Sequence, residues 1–85
     1  MRPAWVNVSA VVHMPLYAAH DEGVRKEGYH VYYVVRDKDE VVHKGDRILL
    51  AQDPIELYTL FRHQMQSRWG VEPNSVIWET TAWGK

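Results

Sequence analysis

The chain has 85 residues, 46% of them apolar and 25% charged, with a net charge of −1 when its histidines are neutral. That length fits one small domain, and that balance argues against a disordered chain and against a nucleic-acid module held mainly by phosphate contacts. It has no cysteine, so disulfides and thiolate metal sites are excluded, and stability has to come from packing or from a second copy.

The first element is read in "WVNVSAVVHM", Trp5 to Met14. Strict alternation gives Val6, Val8, Ala10, Val12 and Met14 one face and Trp5, Asn7, Ser9, Val11 and His13 the other. The first set is the expected core face. Pro15 is expected to end the strand, because proline cannot donate to a ladder. The apolar residues alternate with polar ones, unlike the continuous run of a signal peptide, so the expected location is the cytoplasm. No run approaches a membrane span, and no membrane partner is expected.

Pro15 to Gly28 reads as a long loop with a charge run at Arg25–Glu27. Loops of that length often carry binding sites. "YHVYYVVR" and "EVVHKGDRILLAQ" then read as a hairpin around Asp37–Glu40. A two-residue turn at Lys38 and Asp39 sets Arg36 opposite Val41 and Val34 opposite His43. Continued, that register puts Lys44 and Asp46 on the face of Val31 and Tyr33. A glycine bulge at Gly45 is the favoured repair, the alternative being that His43–Asp46 is itself a tight turn.

The helix signal is the clearest in the chain. Asp53 is a good N-cap, Pro54 suits the first helical position, and Glu56 completes a capping box. Leu57, Phe61 and Met65 share one side, and Gly70 suits a left-handed C-terminal cap. The predicted helix runs from Pro54 to Trp69. "SVIWETTAW" reads as the last strand.

The whole chain, residues 1–85, is thus expected to form a single α+β domain. Its sheet is four-stranded and mainly antiparallel, in the order β-β-β-α-β, with one helix packed on one face. The expected core holds Val6, Val8, Val12, Val31, Tyr33, Leu57, Phe61, Met65, Val76 and Trp78. One helix leaves the second sheet face uncovered. Trp5, His13, His30, Tyr32, Trp83 and Ile77 are candidates for it.

Chemistry is harder to find. Five histidines are present, with no His-x-His and no His-x-x-x-His. His30 and His43 are expected on one face but too far apart for one ion, so no metal and no cofactor are expected. No serine or threonine stands in a nucleophile-elbow context and there is no glycine-rich phosphate loop, so no catalytic residue is assigned and the protein is not expected to be an enzyme.

The functional expectation is a protein-interaction module that self-associates, most simply as a homodimer, through an aromatic-rich sheet face. Trp5, Tyr32 and Trp83 are its expected anchors, with His30 and Arg36 at the rim; a foreign protein is the other partner considered. The alternatives are single-stranded nucleic acid on the same face, with Lys44 and Arg47 meeting phosphates, and a small ligand at a dimer seam.

Overall fold

A computed structural model describes residues 5–79. The elements follow the expected order: β1 (Trp5–Asp21), β2 (Val24–Asp37), β3 (Glu40–Ala51), α1 (Pro54–Trp69), a 3-10 turn at Pro73–Ser75 and β4 (Val76–Trp78). The strands form one sheet in the order β3-β2-β1-β4. β1–β2 and β2–β3 are antiparallel, while β4 runs parallel to β1. The parallel pair follows from the connection. β3 and β4 point the same way from opposite edges, so the chain must cross the sheet between them, and α1 makes that crossing.

The helix forms where its caps dictate. The Asp53 side chain accepts from the Glu56 backbone N–H at 2.8 Å. Glu56 reaches back in turn, its Oε1 accepting from the Gln52 backbone N–H at 2.6 Å. Gly70 ends the helix at φ 70°, its N–H donating to the Gln66 carbonyl. Leu57, Phe61 and Met65 are fully buried against the sheet. Phe61 sits at the centre, edge-on to Tyr33 at 5.4 Å and to Trp78 at 5.5 Å between ring centroids. Val6, Val8, Val11, Tyr29, Val31, Tyr33, Val35, Leu49, Ala51 and Val76 complete the core from the strands.

Two bulges decide which side chains face the helix. The first is Ser9, which has no partner because Val8 opposes Tyr33 and Ala10 opposes Tyr32. One extra residue flips every following side chain. Val11 is therefore buried, and Val12, expected in the core, is 50% exposed on the other face. His13, expected on the open face, lies instead on the helix side, stacked on Tyr29 at 4.9 Å. Trp78 is only partly buried, packed against the edge of the core.

The second bulge lies at Val42. Arg36 opposes Val41 as expected, but Val35 opposes His43 and Val34 opposes Lys44. The correction to the register thus comes before Gly45, which is paired regularly with Tyr33. As a result Lys44 and Asp46 share the open face, and His30 and His43 lie on opposite faces.

Gly45 has a different role from the bulge expected there. A Cβ at this position would lie 2.7 Å from the Tyr33 hydroxyl and 2.8 Å from His43 Nε2. The Tyr33 ring crosses the strand at that point and is pinned by Phe61. At Gly28 a Cβ would meet Tyr17, 2.5 Å from its Cδ2 and 3.1 Å from its Cβ and its backbone oxygen, but Tyr17 is half exposed and stands in the bulge at Pro15–Tyr17, with no core packing to hold it in place. Gly45→Ala should cost about 1–3 kcal/mol by overpacking, and Gly28→Ala less than about 1 kcal/mol. Urea denaturation of the two variants checks that order.

The expected loop at residues 15–28 is a hairpin arm. β1 continues past Pro15, which sits in a three-residue bulge, Pro15–Tyr17, between the paired residues Met14 and Ala18. Proline is tolerated there because a bulged residue owes the ladder no N–H. Asp21 pairs with Val24 across the two-residue turn Glu22-Gly23, at φ 53° and 81°. Positive φ at both positions is the pattern of the primed turn that suits twisted strands.

Candidate functional site

The register places the open face in rows across the sheet. From β3 to β1 these are Leu50–Gly28–Met14, Ile48–His30–Val12, Asp46–Tyr32–Ala10 and Val41–Arg36–Trp5. A fifth row, Lys44–Val34–Asn7–Ile77, runs across all four strands. Val12, Ile48, Ile77, Leu50 and Tyr32 are each between 37% and 50% exposed. Together they expose apolar surface on the order of several hundred Å², the size at which monomers rarely leave a patch open. Among the described residues no element covers this face; only Tyr17 folds onto it, over Gly28.

A polar island stands in the middle of the patch. His30 Nε2 lies 2.7 Å from Asp46 Oδ2, and the Tyr32 hydroxyl lies 3.1 Å from His30 Nδ1. An ionised carboxylate only accepts, so Nε2 carries the hydrogen to Asp46. In the neutral ring Nδ1 then accepts from the tyrosine hydroxyl. The two rings stack at 4.2 Å. Ser9, at the bulge, donates to the Tyr32 carbonyl at 3.3 Å. These contacts fix the Tyr32 ring in one orientation before anything binds. Trp5 is held similarly, its indole N–H donating to Asn7 Oδ1 at 2.8 Å.

Of the residues singled out from the sequence, Trp5, His30, Tyr32 and Arg36 do share this face, and Trp83 lies outside the described residues. The two basic residues considered for nucleic acid are separated. Lys44 is on the open face beside Val34, whereas Arg47 pairs with Val31 and lies on the helix side. Sequence reasoning missed Val12, Ile48, Leu50 and Asp46. Their place depends on the bulges at Ser9 and Val42, and a bulge leaves little trace in an alternation pattern. The one trace is the doublet Val11-Val12, where the period of two breaks.

At the other end of the sheet, ionic contacts tie the arm down on the helix side. Arg25 Nε donates to Glu27 Oε2 at 2.9 Å, and Arg25 Nη2 donates to the Pro15 carbonyl at 3.1 Å. His13 meets the other Glu27 oxygen. Lys26 reaches Glu56 at the start of α1, 3.4 Å away. The Arg25 hydrogen bond, and after it the His13 one, hold the Glu27 carboxyl below its ordinary value of 4.5. Its contribution is therefore present above that value and is lost as pH falls through the lowered one. Acidification should loosen the base of the arm before the helical core. A fall in amide protection at Arg25–Glu27, with α1 still protected, as the pH drops below the ordinary carboxyl value checks this. Tyr29 moves the other way: burial, then the Glu27 and Asp53 charges, raise its phenol above 10.0.

No group of three or more metal-ligating side chains occurs among the described residues, and none of their helices is long and apolar enough to cross a membrane. No protein-family model, curated protein or solved structure matches this chain.

Proposed function

We propose that this protein is a non-catalytic interaction module that self-associates through its open sheet face. The observation that carries the reading is the uncovered apolar surface formed by Val12, Tyr32, Ile48, Leu50 and Ile77. Its composition suits an interface: an apolar centre, aromatic anchors already fixed in place, and charged groups, Arg36 and Lys44, towards one end. The partner argued for is a second copy, because two-fold homodimers are the commonest assembly. A foreign protein is the other occupant such a face would suit.

Nucleic acid is less well supported. Tyr32, the ring best placed for base stacking, stands directly opposite Asp46, and a carboxylate there repels a phosphate backbone. Arg47 is not on the same surface.

The test is the mass in solution of the wild type and of Tyr32→Lys. Lysine suits the test better than glutamate, which would stand opposite Asp46 and strain the fold itself. A lower mass in a variant that keeps its melting temperature supports the reading. An unchanged assembly removes it.

A further inference from the structure

We infer that two copies of the chain pair along the outer edge of β3, antiparallel and centred on Gly45, so that Lys44 of each copy lies opposite Asp46 of the other. This contact is separate from association through the open face. Its two-fold axis stands normal to the sheet, so the two open faces come to lie side by side and stay uncovered.

The edge itself makes the first argument. β3 is the outermost strand and is twelve residues long. Its outward backbone groups have no strand beside them among the described residues. Long edges of this kind pair with other strands unless something prevents it. The usual deterrents are present: a lysine, Lys44, in the middle of the edge, and the bulge at Val42. The question is whether the strand repels a copy of itself.

A two-fold axis normal to the sheet keeps each residue on its own face, so it restricts the registers to those centred on a single residue. Around the middle of the strand there are five. Centring on Lys44 opposes two ammonium groups, on Asp46 two carboxylates and on Arg47 two guanidinium groups. Centring on His43 gives neither Lys44 nor Asp46 a partner of opposite charge. Like charges directly opposed destabilise a strand pair. Only the register centred on Gly45 sets the two charged side chains of the open face, Lys44 and Asp46, against each other. It does so twice by symmetry. His43 then faces Arg47 on the helix side, where its ring already packs on Trp69 at 4.9 Å.

The side chains are ready for this pairing. Lys44 makes no ion pair among the described residues. Asp46 gives Oδ2 to His30, which leaves Oδ1 for a lysine, and its side chain is 58% exposed. The lysine that should deter a foreign strand thus meets a carboxylate when the neighbour is a copy. That self-complementarity is why a second copy, and no other strand, is the occupant.

The chain has no cysteine, which permits a clean test. A Lys44→Cys chain and an Asp46→Cys chain are mixed and exposed to a mild oxidant. In the inferred register the two thiols face each other across Cα atoms roughly 5 Å apart, within disulfide reach, and the remaining Lys44–Asp46 pair of the same dimer stays intact. Within either chain alone, the thiols are two residues out of register and beyond the ~7 Å limit. The expected result is a covalent dimer from the mixture and little from either chain alone. It should persist when both chains also carry Ile77→Lys, which charges the open face at the far edge of the sheet, away from Asp46, and so separates this contact from the open-face reading. No covalent dimer from the mixture, or equal cross-linking of each chain alone, overturns the inference.

Discussion

Phe61→Ala should lower the unfolding free energy by about 3–5 kcal/mol, the usual cost of emptying a buried aromatic site. Phe61 is fully buried and touches both ends of the core, with Tyr33 on one side and Trp78 on the other. Neither ring is free to collapse into the space. Tyr33 is held across Gly45, and Trp78 is also packed on Tyr58 at 4.8 Å. The cavity would therefore persist, which puts the cost towards the upper end. Domains are stable by only about 5–15 kcal/mol, so this one substitution should remove a large part of the total. Chemical denaturation, read by the far-ultraviolet signal, measures it. A loss below about 1 kcal/mol would mean that the helix does not pack on the sheet as described.

The second large effect concerns association. Tyr32→Lys should weaken self-association at least tenfold, since removing a central aromatic anchor typically costs more than 1 kcal/mol and here also brings a charge into the contact. The same change should leave the fold nearly untouched. Tyr32 lies on the face away from Phe61, and a lysine there meets Asp46 across the strand pair, as opposite charges prefer. The contrast with Phe61→Ala is the useful part: one substitution spends its effect on folding and the other on association.

The helix was fully legible in the sequence, and the reason is local. Asp53, Pro54, Glu56 and Gly70 are capping signals that act within one turn and need no tertiary context. The order of elements and the uncovered face followed from counting one helix against four strands. What the sequence hid was non-local. Whether Val11 or Val12 is buried depends on Ser9 dropping out of the ladder, and whether Asp46 meets His30 depends on Val42 doing the same. Pro15 misled for a related reason: its usual meaning is the end of a strand, but a bulge absorbs it and the arm continues. The Tyr32–His30–Asp46 island was illegible because its members come from two strands whose register turns on a single extra residue.

The most direct test of the central claim is light scattering behind a sizing column, at two protein concentrations, for the wild type and Tyr32→Lys. Self-association through the open face predicts a wild-type mass of at least twice the chain's 10.0 kDa, and a lower mass for Tyr32→Lys at the same concentrations. A wild-type mass of 10.0 kDa at both concentrations, or an assembly that Tyr32→Lys leaves unchanged, would contradict it.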